Sequence, residues 1–436
     1  MSATALLWLA TLVVTAAMSV TRPAWAVALY MATFFAAPQN WWWGEDVPGL
    51  RYAVFAGAVL AATALMNASS PTEGSPPKFR LAHAAAVGMA LNATVVHFFL
   101  SSTPRISLRD YTELVKFVVL FFLICQAIRQ KRDYALVVMS MALGAAYIGY
   151  EVTVNDRGFF SGGRLEGVGA PGADSANSLA CLLLVTVPFT AGLVVNSKLW
   201  QKGVAIASAA LAVNVILLCN SRGAFISLIG AGLTFLILAR GATRKMAIRS
   251  VAVGAVGIYL LLGDPEILSR FATTFVGSEE RDTSAASRLV FWKAGFAMLA
   301  DFPLGDGGGA FKYVQGGKYL KDEGIEEERS LHNGYLTVAT SWGLQGYALH
   351  MLFLAGSIFA AYRTSERCRR AGNTPDAVIG LCGITAASGL MIAAIFGSFL
   401  PNEWGYWTMA LLVRYAELYA PVPETAVALP PGANIG

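Results

Sequence analysis

NSLACLLLVTVPFTAGLVV, residues 177–195, followed at once by NSKLWQK (196–202), decides what kind of protein this is. The run carries no charged residue, and its length matches the ~20 apolar helical residues that cross a bilayer core. Backbone polar groups in hydrocarbon must be satisfied within the segment, so the spanning element is a helix. The lysines that follow stop it. Comparable runs recur along the chain at 4–20, 24–37, 51–66, 81–100, 111–128, 134–152, 202–219, 223–239, 246–262, 334–362, 376–399 and 404–420. The pattern predicts an all-α, polytopic membrane helix bundle with 12 or 13 transmembrane helices. Arg22-Pro23 interrupts the first apolar stretch, which leaves either two thin helices or one broken one.

Composition agrees with that class. Hydrophobic residues make up 56% of the 436 and charged residues only 14%, against about 25% charged in soluble domains. The first run lacks a basic leader and further spans follow it, so no cleavable signal is expected. The five cysteines (125, 181, 219, 368, 382) have neither metal nor disulfide spacing. The net charge of +5 reads as a topology signal, and no nucleic-acid partner is expected. Short loops rich in Lys and Arg stay in the cytoplasm: RQKRD (129–133), NSKLWQK (196–202), RGATRKMAIR (240–249) and RTSERCRRAG (363–372). Alternation sends NWWWGEDVPG (40–49), the 154–176 loop, the turn at Asn220-Ser221-Arg222, the 263–333 segment and FLPNEWG (399–405) to the other face. STPRISLRD (101–110) falls on that outer face although it is basic. Trp41 to Trp43 suit an interfacial aromatic belt.

One membrane domain, 1–420, therefore carries one large outer insertion at 263–333 and a Pro/Gly/Ala-rich tail at 421–436 that reads as disordered. No internal repeat is visible. The insertion is too long for an ordinary connection. Its centre, SRLVFWKAGFAMLADFPLG (287–305), has helical periodicity with an N-cap expected at Ser284 or Ser287. It predicts a helix lying on the bundle or at the interface. The glycines at 305, 307, 308 and 309 either only stop that helix or let backbone approach a ligand closely.

Three charged features gather on the outer face. Arg222, in CNSRGAF (219–225), sits at a membrane edge. An arginine there costs several kcal/mol unless paired or wetted, so it is either functional or a residue that snorkels to headgroups. Arg288 lies in the first turn of the insertion helix, where it could equally be solvated or pair with Glu279, Glu280 or Asp282. His332 stands where the chain re-enters the membrane, with Asn333 and Tyr335. A neutral imidazole can accept a hydroxyl proton at neutral pH; the plainer alternative is a histidine at a helix start. Of the other histidines, His350 lies about 27 Å along the same helix, His83 belongs near the cytoplasmic end, and His97 is the rival.

Arginine forks bind phosphate oxygens in pairs. A base and arginines at headgroup level suit a lipid-linked diphosphate whose sugar is displaced. The leaving diphosphate needs positive charge from a metal or from arginine. Glu280-Arg281-Asp282 and Asp264-Pro265-Glu266 make poor metal sites, which favours arginine without metal and leaves no cofactor to name.

CNSRGAF (219–225), SRLVFWKAGFAMLADFPLGDGGGAF (287–311) and HNGYLTVATSWGLQGY (332–347) occur in that order over about 130 residues. With this ordered set the chain resembles the bacterial O-antigen ligase and polymerase superfamily. The N-terminal half, with WWWGEDVPGLRYA (41–53), is similar to a branch described as O-glycosylation ligases. The resemblance implies a glycosyltransferase C-like membrane bundle in the bacterial inner membrane, with its active site facing the periplasm. It implies a glycan donor on undecaprenyl diphosphate, a lipid A–core acceptor, and no metal or nucleotide. It further implies His332 as general base, Arg222 and Arg288 as diphosphate ligands, and Ser221, Asn333 and Tyr335 as substrate contacts. GGRLEGVGAPGADSANSLA (162–180) looks like the family's earlier loop, adding Arg164 and Asn177, although the usual Pro-Asn pair is absent. The same residues would serve a polymerase or a protein O-oligosaccharyltransferase. A transporter would instead show paired charges near the midplane and repeat symmetry. Glu113 and Lys116 are the one such pair at local spacing. A non-catalytic scaffold would tolerate loss of His332. Partner proteins and oligomeric state are not readable.

Overall fold

A computed structural model describes residues 1–69, 72–73, 80–169, 172, 175–195, 197–245, 247–249, 252, 279–321 and 328–421; over 279–286 it describes backbone only. Most of the expected run at 246–262, the carboxylates at Asp264 and Glu266, and the tail from 422 lie outside these residues.

Every other expected apolar run is helical. α1 (Ala3–Thr21) and α2 (Ala24–Phe35) are separate helices broken at Arg22-Pro23. There follow α3 (Tyr52–Met66), α4 (Leu81–Val95, prolonged by a wide turn to Leu100), α5 (Pro104–Ala127), α6 (Lys131–Thr153), α7 (Ala176–Val195), α8 (Leu199–Leu218) and α9 (Arg222–Leu238). The insertion contributes α10 (Glu279–Asp301) and a short helical stretch at 311–320. α11 (Gly334–Arg370), α12 (Thr374–Phe396) and α13 (Glu403–Leu418) complete the described bundle. Seven described helices are long and apolar enough to cross a membrane: α1, α4 with its extension, α6, α7, α8, α11 and α12. The chain is a polytopic helical membrane protein. Helices α2, α3, α9 and α13 are apolar but shorter, at 12, 15, 17 and 16 residues.

Successive helices reverse direction, so the basic loops at 128–131, 196–198, 239–249 and 371–373 gather at one end. The opposite end collects residues 154–169, the turn at 219–221, the start of α11 and residues 397–402. The basic end is held by charge pairs: Arg414 with Glu417, buried on both sides, and Arg22 with Asp133 and Lys131 with Asp376 at 2.7 Å, in which the carboxylate is buried. Burial makes such pairs costly to break singly.

Four expectations need correction. α10 begins at Glu279, so Ser284 and Ser287 lie inside the helix rather than capping it. Trp41 and Trp43 are buried and only Trp42 is exposed. Trp43 Nε1 donates to Tyr147 Oη at 2.6 Å, so the tryptophans brace α6 more than they line an interface. Glu113 pairs with Arg109 at 3.3 Å rather than with Lys116. The bundle is also not purely helical. Phe159–Ser161 pairs antiparallel with Arg164–Glu166 across Gly162-Gly163, whose φ values of +56° and +72° are those of a tight hairpin turn.

The glycines after α10 do more than end a helix. α11 is interrupted at Gly343, with φ +78° and ψ 174°, a conformation essentially restricted to glycine. The carbonyls freed near the break are taken by the insertion. Asp306 N donates to Thr340 O at 3.2 Å and Gly307 N to Ser341 O at 2.9 Å, while Leu344 N returns a bond to Pro303 O at 2.9 Å. A side chain at Gly305 would lie 2.5 Å from Gly343 N. Asn92 Nδ2 satisfies the Trp342 carbonyl at 2.8 Å. Buried carbonyls left unpaired would be costly, so insertion and broken helix form one unit. A small separate core then seats α10: Phe291, Ala294 and Met298 pack with Phe311, Leu331 and Leu336.

Candidate active site

The hairpin places Arg164 beside the start of α7. Its Nη2 donates to Asn177 Oδ1 at 2.6 Å and its Nε to the Cys219 carbonyl at 3.5 Å. Ser221 donates its hydroxyl to the same Asn177 oxygen at 2.7 Å and accepts from Ala224 N at 3.3 Å as the N-cap of α9. Asn220, at φ +44°, turns the chain from α8 into that cap and donates to Gly163 O at 3.2 Å. Hairpin, α7 and the α8–α9 turn are thereby tied together, with Arg222 exposed at the first position of α9.

α10 brings the third arginine. Asn177, Ser221 and Arg288 line a small cleft together with Cys181, Ala224 and Phe396, with enclosed room of about 10 Å³, that of one water. Burial first, then the charges of Arg164 and Arg222, push the Arg288 guanidinium below its ordinary pKa. An arginine nevertheless keeps its proton. Among the described residues, none of these three arginines is paired with a carboxylate. Three like charges thus converge without a counter-charge among the described residues, which favours an anion between them.

His332 lies beside α10, within reach of the Arg288 charge. Its ring centroid is 6.2 Å from that of Phe291, one helical turn beyond Arg288 on α10. The His332 backbone is left-handed, φ +48°, a conformation that costs a non-glycine residue about 1–3 kcal/mol. Asn333 helps hold it by capping α11: its Oδ1 accepts from Tyr335 N at 3.0 Å and Leu336 N at 3.1 Å. Burial, then the positive charges of Arg288 and Arg329, lower the imidazole pKa from its ordinary value. The neutral form, able to accept a proton, is therefore favoured. Among the described residues no hydrogen bond occupies its ring nitrogens.

The structure thus brings together Arg164, Asn177, Ser221, Arg222, Arg288 and His332. It sends the other two expected residues elsewhere. The Asn333 side chain is used by its cap, and the Tyr335 hydroxyl donates to the Met391 carbonyl on α12 at 2.8 Å. Both act on the site through the placement of α11. His97 is also committed: Nδ1 is 3.1 Å from Ser107 Oγ and the ring stacks on Tyr111 at 4.6 Å. Its rivalry with His332 ends there. Among the described residues, no three His, Cys, Asp or Glu side chains are grouped as a metal site requires. Asp306, wholly buried beside the glycine run, was not singled out by sequence. An acid inside Gly-Asp-Gly (305–307), where the chain must pack closely, was the available signal.

Residues 207–351 match the family model described as O-antigen ligase. The matched stretch contains Ser221, Arg222, Arg288 and His332; Arg164 and Asn177 precede it. No curated protein matches the chain. Over the matched stretch, about a third of the 436 residues, the chain is similar to the O-antigen ligases.

Proposed function

We propose that this protein transfers a glycan from undecaprenyl diphosphate to a sugar hydroxyl of lipid A–core, at the periplasmic face of the bacterial inner membrane. The observation that carries the reading is the convergence of Arg164, Arg222 and Arg288, none with a carboxylate partner among the described residues, beside a histidine whose ring nitrogens take no hydrogen bond from those residues. The arginines hold the diphosphate oxygens. The acceptor hydroxyl gives its proton to His332 as its oxygen attacks the anomeric carbon. The bond from that carbon to the diphosphate breaks, and the electron pair leaves on a phosphate oxygen stabilised by the arginines. A single displacement inverts the anomeric configuration. Neither a metal ion nor a nucleotide takes part in this scheme.

Complementation of a cell lacking the gene tests this. Wild type should restore a ladder of glycan on lipid A–core. His332→Ala, at matched membrane levels, should leave bare core, because loss of a general base costs about 10²–10⁴ in rate. Core bearing one repeat unit would indicate a polymerase instead. An unchanged ladder with His332→Ala would remove the histidine from the mechanism. Retained configuration in the product would rule out the one-step displacement.

A further inference from the structure

We propose that Asp306 is a positioning residue of this site, a buried carboxylate that pins the C-terminal end of α10 to the bundle and so sets where Arg288 stands relative to His332. The inference rests on the glycosyl-transfer reading for the roles of those two residues.

Asp306 is 0% exposed, and its polar groups engage three different segments. The amide donates to Thr340 O of α11 at 3.2 Å. The carbonyl accepts from Ser101 Oγ at 2.8 Å. Carboxylate Oδ1 accepts from Ser102 N at 2.6 Å; Oδ2 accepts from Ser102 Oγ at 2.8 Å and Gln315 Nε2 at 2.9 Å. A buried carboxylate without such donors would be prohibitive. Here the donors are all neutral, and they come from the turn before α5 and from the 311–320 stretch, while the break in α11 supplies the carbonyl that takes the Asp306 amide. Next to it, Gly308 N donates to Ser107 Oγ at 3.1 Å. Asp306 is therefore the point where the insertion is fastened to the membrane helices.

The lever arm is long. Arg288 precedes the end of α10 by 13 residues, about 20 Å at 1.5 Å per residue. Between the two ends the helix is held by a small apolar cluster against Leu331 and Leu336. A tilt of a few degrees at the fastened end displaces the guanidinium by about an ångström, and a misplacement of about 1 Å can cost ~10²-fold in rate.

Because every donor is neutral, the latch does not need a charge. In Asp306→Asn the amide oxygen can accept from Ser102 N, and the amide nitrogen can donate to Ser102 Oγ. The Gln315 amide can rotate to present its oxygen. Asp306→Ala leaves these partners unsatisfied.

The test compares full-length wild type, Asp306→Ala and Asp306→Asn in lipid nanodiscs. Hydrogen exchange over 287–301 reads the latch without reference to activity. It should accelerate in Asp306→Ala and stay like wild type in Asp306→Asn. With a lipid-diphosphate glycan donor, Asp306→Ala should raise donor KM about tenfold or more. It should also move the acid limb of the pH–rate profile to higher pH, because Arg288 then acts less on His332 while Arg329 remains. Simple loss of folded enzyme would lower the rate at all pH values and leave the limb in place. If Asp306→Ala does not accumulate, Ser102→Ala combined with Gln315→Ala should reproduce both effects. An Asp306→Asn variant as inactive as Asp306→Ala, with normal exchange, would mean the charge itself acts and would overturn the proposal. So would faster exchange with unchanged KM and pH limb. Wild type that transfers from no lipid-linked donor would reject the functional reading, while the exchange data would still decide whether the latch exists.

Discussion

Arg164 and Asn177 are joined by a 2.6 Å hydrogen bond from guanidinium to amide oxygen, and that oxygen also receives the Ser221 hydroxyl at 2.7 Å. One acceptor thus ties the hairpin arginine to the cap of the helix that begins with Arg222. Hydrogen bonds to charged groups contribute about 1.5–3 kcal/mol. Asn177→Ala should therefore raise donor KM about ten- to a hundredfold. Asn177→Asp would keep hold of Arg164 but place a negative charge among the arginines, and it should also weaken donor binding. Donor titrations on the two purified variants check both.

The pH dependence has a fixed sign. Burial and the charges of Arg288 and Arg329 lower the His332 pKa, so the ring stays unprotonated to more acid pH than a free histidine would. Activity should rise with pH through an acid limb below about 6.5, the ordinary histidine value. Arg288→Gln removes one of the two neighbouring charges and should move that limb to higher pH while slowing transfer. A limb that stays in place would mean Arg288 does not act on the base.

Asn333 acts through its cap. Asn333→Ala should cost about 0.5–2 kcal/mol of stability, read as a lower thermal transition, and should loosen the left-handed turn at His332. Asn333→Ser can cap and should retain most stability and transfer. Loss of transfer in the serine variant at unchanged stability would mean that Asn333 touches substrate.

Tyr335 separates packing from chemistry in the same way. Its hydroxyl is committed to Met391 O, so Tyr335→Phe should lose about 1 kcal/mol of stability and keep its rate. A rate loss without a stability change would restore the expected substrate contact.

Gly343→Ala tests the broken helix. The new methyl would lie 2.4 Å from the Leu304 backbone, in a conformation costing a non-glycine residue about 1–3 kcal/mol. Membrane levels should fall, and the surviving protein should show faster exchange at 302–307.

Much of this was legible from residue order. Charge-free runs such as 177–195 announce helices because hydrocarbon leaves the backbone no other way to satisfy itself. The basic loops sort the two ends, and CNSRGAF (219–225), the insertion and HNGY (332–335) stand out as charged groups at helix edges. The hairpin was there to be read in FFSGGRLE (159–166), where a Gly-Gly pair separates two short runs.

What the order of residues could not tell was which side chains are free to act. Arg222, Arg288 and His332 are spread over 111 positions, and each alone reads as well as an anchor or a helix-start residue. Folding brings them within reach of one another's charge without a described counter-charge. It also spends Asn333, Tyr335 and His97 on hydrogen bonds elsewhere. The glycines at 305–309 looked like a stop signal because their partner, the break at Gly343, lies more than thirty residues on. Helix formation is local and periodic, so sequence alone determined the bundle. Pairing between distant segments depends on which backbone and side-chain groups remain unsatisfied once the helices pack, and only the tertiary structure decided that.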